Sequence, residues 1–355
     1  MNLDELYMRR CLQLASMGQG HTSPNPMVGA VVVCDGRIIG EGYHHYCGGP
    51  HAEVNAIASV KDKSLLSRST IYVSLEPCSH HGKTPPCCDL IIASHIPRVV
   101  VGCLDPFPQV SGRGINRLRQ HGIDVTTDIL RDESVWLNRK FITLHSKNRP
   151  YITLKWAQSR DGYIDRERSH NEAPTQFSTP ITRLWSHRLR AVNDAIVVGT
   201  NTVICDNPSL TTRYWSGKNP LRITFDRNGR IPADATLFDG STSTLIMGKN
   251  CNCHTSDIIA LDSETSSIEQ LLQHLAERRI QSLIVEGGSE LLQSFIDMNL
   301  WDEARIETTP ITLQSGIAAP IIDGHTIECN NHGHAHHTCI LANPLMELNY
   351  PFHEP

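Results

Sequence analysis

The chain has 355 residues, 39% hydrophobic and 19% charged, with a formal net charge of -5. That length accommodates two domains of ordinary size, and the acidic balance offers no general basic surface to nucleic acid. No run of about 18 apolar residues offers a membrane span, and the charged N-terminus MNLDELYMRR lacks a secretory pattern; together these predict a cytoplasmic protein. In such a chain, twelve cysteines read as small buried hydrophobes or metal ligands.

Leu3, Leu6, Tyr7, Cys11 and Leu14 recur at helical spacing behind an Asn2 cap. Strands over 28–33 and 38–43 flank Asp35-Gly36, a hairpin signal, and Pro24-Asn25-Pro26 forms a rigid loop ahead of them. Then come a helix over 51–60, a strand over 70–75, a helix over 86–95, a strand over 98–103, a helix over 114–121 and a strand over 123–127. The alternation implies a mainly parallel sheet with helices on its faces. A closing helix over 131–144 and the pair Arg149-Pro150 mark a boundary, giving domains over 1–146 and 150–355.

A second α/β series follows. Strands are predicted over 151–156, 195–198, 221–226, 244–247, 258–261, 282–285, 304–307 and 340–349, with helices over 182–191, 268–279 and 289 to about 298. Residues 165–175 form a polar insertion without clear period, and the stretch holding Cys329, His332, His334, His336, His337 and Cys339 reads as a solvated loop.

The chemistry concentrates between His51 and Cys87. A catalytic zinc takes three protein ligands and leaves one position for water. His51 and Glu53, two apart at the start of a helix, face one pocket. The next strand delivers Glu76-Pro77-Cys78 to a loop, and Cys87 opens the following helix, where the helix N-terminus favours thiolate. Glu53 is kept from the metal if it is to carry protons from water to a leaving amine. On the residues alone, Cys88 competes with Cys87, and His80 and His81 remain candidate ligands. Adjacent helical residues diverge by about 100°, so one cysteine of the pair fits. Asn25 reads as a hydrogen-bond partner for a substrate ring or as a turn-stabilising residue.

Zinc nucleobase deaminases carry H-x-E followed by P-C-x-x-C. Here eight residues, Ser79 to Pro86, separate the cysteines. PNPMVG, then GGPHAE, then LEPCSHHGKTPPCCD closely resembles the deaminase half of the bifunctional riboflavin-biosynthesis deaminase/reductases, in which that insertion separates two cysteine ligands. The resemblance spans roughly residues 3–145. It implies His51, Cys78 and Cys87 as zinc ligands and Glu53 as proton carrier; on the residues themselves, His80 and His81 fit the pocket mouth with Lys83, where a substrate phosphate would be welcome.

Past Pro150 the resemblance continues. KWAQSRDG, DAIVVGTNTV, DNPSLTTR and VEGG, beginning at Lys155, Asp194, Asp206 and Val285, are similar to motifs of the family's reductase half. That implies an N-terminal cytidine-deaminase-like three-layer α/β/α domain and a C-terminal dihydrofolate-reductase-like α/β domain. Ala157, Thr202, Asp206, Gly288, Ser289, Glu290, Leu291, Leu292, Gln293 and Ser294 would contact NADPH. Arg190, Leu210, Arg213 and Glu286 would contact substrate, the arginines suiting its phosphate, and Lys155 and Glu286 would orient or protonate the reacting imine. Gly287-Gly288 ahead of a helix suits a pyrophosphate. Gln176 stands where the family commonly has Trp, Arg160 replaces a usual Leu, and the polar insertion is longer than the usual link.

The expectation is a bifunctional enzyme holding one Zn2+ and using NADPH on a phosphorylated pyrimidine, as a homodimer or tetramer. Three alternatives stand beside it: a deaminase with a degenerate reductase half, a nucleic-acid base deaminase, and a zinc-stabilised binding protein without catalysis.

Overall fold

Valine- and isoleucine-rich runs, buried on both faces, nucleate two separate sheets. The computed structural model describes residues 2–79, 85–106, 112–169, 172–248, 257–262, 264–333 and 336–345. The chain divides into two compact units, the first running to Lys147 and the second beginning at Asn148.

In the first unit, helix α1 (Leu3–Ser16) precedes strands β1 (Gly29–Cys34) and β2 (Arg37–Tyr43). Helix α2 (Ala52–Ser59), strand β3 (Thr70–Leu75), helix α3 (Cys87–Ala93), strand β4 (Arg98–Cys103), helix α4 (Arg113–Gln120) and strand β5 (Asp124–Thr126) follow. Helices α5 (Arg131–Leu137) and α6 (Arg139–Lys147) close the unit. The sheet order is β2-β1-β3-β4-β5. Its β3, β4 and β5 are parallel, but β1 pairs antiparallel with both β2 and β3, so the sheet is mixed rather than mainly parallel. Ala30, Val32, Ile71, Val73 and Val99 pack toward α2, α3 and α4. Val31, Val33, Tyr72 and Val100 pack on the other face against Tyr7, Met8, Cys11 and Leu14 of α1. Side chains alternating across each strand thereby build three layers.

The predicted single closing helix is broken at Asn138. Its buried amide accepts from Met27 N at 2.8 Å and donates to Met27 O at 2.9 Å, so the break ties the Pro-Asn-Pro loop down.

The second unit begins with β6 (Tyr151–Gln158), β7 (Tyr163–Asp165), α7 (Pro180–Ala191), β8 (Ala195–Val198), α8 (Thr200–Asp206) and β9 (Leu221–Asp226). It continues through β10 (Thr244–Gly248), β11 (Asp257–Ile259), α9 (Ser267–Glu277), β12 (Ser282–Glu286) and α10 (Ser289–Asp297). Strands β13 (Glu303–Thr308), β14 (Ile317–Ala318), β15 (His325–Asn331) and β16 (His337–Ala342) complete it. The main sheet runs β11-β10-β9-β8-β12-β6-β13-β16-β15. It is parallel from β11 to β13, and β16 and β15 extend it antiparallel. Ile152, Leu154, Val197, Leu283 and Val285 pack with α9 and α10; Ile196, Val198 and Ile284 face the other layer with Leu189 and Val203.

The C-terminal His/Cys stretch is a correction. It is the β15–β16 hairpin, with Cys329 and Cys339 joined in a disulfide. His336 is buried and bonds Glu307 of β13 at 2.8 Å. His334 lies outside the described residues.

Among the described residues, no helix is long and apolar enough to cross a membrane.

Candidate active sites

In the first unit the metal-site side chains sit at the starts of two helices and just past the end of a strand. His51 occupies the N-cap of α2, and Glu53 lies in its first turn. Cys78 follows β3, and Cys87 is the first residue of α3. The Nδ1 of His51 lies 3.6 Å from the Cys78 sulfur and 3.3 Å from the Cys87 sulfur. Zinc bonds of about 2.3 Å to sulfur and 2.0 Å to nitrogen at a tetrahedral angle require about 3.5 Å between those atoms. The donor set therefore fits a zinc ion.

The electrostatics agree. The Cys87 thiol and backbone N–H both donate to the Cys78 sulfur, which holds Cys78 well below the usual thiol range. That same neighbouring thiolate, with burial, pushes the Cys87 thiol up. A bound cation would relieve the repulsion and let both sulfurs ionise. Glu53 is buried; burial first, then the Cys78 thiolate, pushes its carboxyl up to about 7. Cys88 turns the other way, donating to Pro77 O and Gly114 O, so the cluster comprises His51, Cys78 and Cys87. His80, His81 and Lys83 lie outside the described residues.

Asn25 reaches the site through a residue that pattern reading passed over. The Nδ1 of His44 lies 3.0 Å from Pro50 O, an acceptor, so that nitrogen carries the proton. Burial holds the His44 pKa below its usual value, so the neutral ring's Nε2 accepts from Asn25 Nδ2 at 3.1 Å. The Asn25 Oδ1 is thereby oriented as an acceptor. The His44 ring also stands edge-on to His51. Glu76 is the second overlooked group. Its buried carboxylate accepts from the N–H groups of Gly112 and Gly114, each at 2.9 Å, and ties the start of α4 to the Cys78 loop.

The second unit holds a cavity of about 710 Å³, in the range of small-ligand sites. It lies across the carboxyl ends of parallel strands, the usual ligand position in open α/β sheets. Lys155 and Ala157 come from β6, Thr202 and Asp206 from α8, and Glu286 from β12. Gly287 and Gly288 lead into α10, both with φ in the left-handed region (77° and 75°) that glycine adopts without a Cβ clash. Ser289, Glu290, Leu291, Leu292 and Ser294 also line the cavity. Its volume and its helix opening with free N–H groups fit a dinucleotide.

Gln293 does not line it; its amide bonds Asp297 and the backbone of Ile321. Gln176 is exposed and bonded to Pro174 O, and the aromatic side chain at this wall is Phe177. Among the described residues of the polar insertion, Arg168 pairs with Asp165 and reaches Asp206, and Asp165 also accepts from Thr175.

Arg190, Leu210 and Arg213 also stand outside the cavity lining. Arg190 reaches it through Glu286, at 2.7 Å. Burial would raise the Glu286 carboxyl, but Arg190 and Lys155 outweigh it and hold Glu286 below the usual carboxylate range. The Leu210 side chain is packed in the core. Arg213 donates its backbone N–H to Nδ1 of buried His187, a neutral ring because burial, Arg190 and Arg213 lower its pKa to about 4.

Residues 1–103 match the family described as the cytidine and deoxycytidylate deaminase zinc-binding region, and residues 150–338 match the RibD C-terminal domain. The riboflavin biosynthesis protein RibD of Aquifex aeolicus is 38% identical over 333 residues, covering 92% of each chain. That of Escherichia coli K12 is 36% identical over 332 residues, covering 88% of this chain and 89% of its own. A diaminohydroxyphosphoribosylaminopyrimidine deaminase/5-amino-6-(5-phosphoribosylamino)uracil reductase from Thermotoga maritima matches in structure with a TM-score of 0.87. It is 36% identical, with coverage of 96% of this chain and 99% of that one. Acinetobacter baumannii RibD gives 0.85 at 30% identity, covering 96% and 98%.

Proposed function

Because the chain belongs to the RibD family of bifunctional riboflavin-biosynthesis deaminase/reductases, we propose that it performs two reactions on one phosphorylated pyrimidine. The first replaces the 2-amino group of 2,5-diamino-6-(5-phosphoribosylamino)pyrimidin-4(3H)-one by oxygen from water and releases ammonia. The second reduces the ribosyl group to the ribitylamino product.

The observation that carries the deamination is a buried carboxyl, Glu53, beside the converging donors of His51, Cys78 and Cys87. Those donors would hold the zinc, which when bound supplies a water acidified toward neutral pH. Glu53 accepts a proton at its carboxylate and returns it to the departing amine nitrogen, work that a carboxyl raised by burial suits. Asn25, its Nδ2 committed to His44, presents Oδ1 to a ring N–H donor. In the second unit NADPH supplies the hydride when bound. Gly288 and Ser289 through Leu292 would carry its pyrophosphate side, with Ala157, Thr202, Asp206 and Ser294 along its length. Glu286, held ionised, suits orienting and charge-stabilising work, which leaves proton donation to Lys155. Arg190 and Arg213 would meet the substrate phosphate, and Leu210 would offer its backbone there. Gln293 is withdrawn from this set.

This reading carries with it a cytoplasmic location and a homodimer or tetramer. The test is a paired assay on one sample: zinc content, ammonia released from the diamino substrate, and NADPH oxidised with the deaminated substrate. About one zinc per chain with both turnovers supports it; ammonia release with no NADPH oxidation would leave a deaminase alone.

A further inference from the structure

The β15–β16 hairpin, with its histidines and its disulfide, has no task in either reaction as described so far. Its buried His336 nevertheless reaches back into the sheet. A carboxylate only accepts, so Nε2 of His336 carries the proton in its 2.8 Å bond to Oε1 of Glu307. The other oxygen, Oε2, accepts from Ser178 Oγ at 2.8 Å. Glu307 is itself buried. Burial would raise its carboxyl, but hydrogen bonds from Thr182 and Ser178, the charge of Lys155 and the His336 bond outweigh it. Together they hold Glu307 below the usual carboxylate range.

The register places this second buried carboxylate against Lys155. Strand β6 lies between β12 and β13. Lys155 is paired with Glu286 on one side and with Arg305 on the other, and Ala157 is paired with Glu307. Paired residues share a face, as do residues two apart along a strand, so Glu286, Lys155, Arg305 and Glu307 project from one side of the sheet. Arg305 turns to Glu303. Lys155 therefore has a carboxylate on each flanking strand, Glu286 directly opposite and Glu307 one pair further along. Both feel its charge.

Neither captures it. Among the described residues Lys155 makes no hydrogen bond or ion pair. Arg190 takes Oε2 of Glu286, and Ser178 and His336 take the two oxygens of Glu307. Only Oε1 of Glu286 is buried without a partner. An ammonium attracted from both flanking strands stays over β6, on the cavity wall that Lys155 shares with Ala157. Without the charge of Glu307 the pull is one-sided. A salt bridge to Oε1 of Glu286 would then draw Lys155 away from the imine it protonates and fill the oxygen that orients substrate.

We infer that Glu307, fixed by His336 and Ser178, is a positioning residue for Lys155, a counterweight to Glu286 that keeps the proton-donating ammonium at the reacting end of the cavity. The inference rests on the reading of the second unit as a reductase.

Two substitutions in the full chain test it. Glu307→Gln keeps the shape and removes the charge; Glu307→Asp keeps the charge on a shorter arm. NADPH oxidation with the deaminated substrate is measured beside NADP+ binding, thermal unfolding and ammonia release. In Glu307→Gln, kcat for NADPH oxidation is expected to fall roughly tenfold, and Glu307→Asp to recover part of that loss. The KM for NADPH and the NADP+ affinity should stay within about twofold of the wild type, and ammonia release should not change. Unchanged kcat in Glu307→Gln overturns the inference. So does a Glu307→Asp no faster than Glu307→Gln, or a loss of NADP+ affinity and thermal stability that accounts for the lost turnover. A wild type that releases ammonia but oxidises no NADPH overturns the reductase reading itself, and this inference with it.

Discussion

The two sites are assembled in opposite ways. In the first unit, His51, Glu53, Cys78 and Cys87 come from two helix starts and the end of β3, within 36 residues of one another, and the donor atoms of His51, Cys78 and Cys87 already stand at zinc-binding separations. In the second, the lining comes from the ends of β6, β8, β9 and β12 and from the polar insertion, spread over half the chain. Its charged groups are satisfied largely by each other, Arg190 by Glu286 and Arg168 by Asp165 and Asp206. A metal site needs few donors at short range, so local sequence can build it. A dinucleotide cleft needs surface, and its charges need partners until the ligand arrives.

That contrast can be broken experimentally. The largest effect is expected from Cys87→Ser: zinc content and ammonia release should fall to background, while NADPH oxidation with deaminated substrate persists. Loss of both turnovers together would show that the two sites are not separable. Next in size is Glu76→Ala, which leaves the N–H groups of Gly112 and Gly114 without their acceptor; a loss of about 2–4 kcal/mol is expected in denaturant unfolding of the first unit.

Arg190→Gln sharpens the other side. Glu286 is ionised above its pKa, and Arg190 lowers that pKa, so removing the guanidinium lets burial raise it. The acid limb of the reduction profile should move to higher pH, with turnover at neutral pH down about tenfold. A limb left in place would mean that Glu286 does not govern it. The smallest effect belongs to Cys88→Ala. Its sulfur meets two carbonyl oxygens and no member of the zinc cluster, so deamination should be retained with a stability cost of about 1 kcal/mol.

How far these features could be read from sequence follows from the same contrast. Strands β3, β4, β8 and β9 fell on the expected residues because each is a short apolar run bounded by turn chemistry. Helix α8 escaped because TNTVICD is short and polar, although it carries Thr202 and Asp206. The break at Asn138 answers to Met27, which lies 111 residues earlier, and no local periodicity encodes that. Strand β15, HTIECNN, is largely exposed and has no apolar alternation, so it resembled a loop. In the zinc cluster the residue types and their spacing sufficed, whereas His44 lacked a motif and emerged only from its bonds to Asn25 and Pro50. Arg190 was legible as a phosphate-binding cation, but its pairing with Glu286 across 96 residues was not.

The central claim is that a metal-holding cluster and a separate proton carrier make the first unit a deaminase. Glu53→Gln tests it most directly, with zinc content and ammonia release measured on one preparation. The account predicts about one zinc per chain, unchanged from the wild type, and ammonia release reduced by about 10²–10⁴-fold. Turnover at the wild-type rate with zinc in place would contradict it.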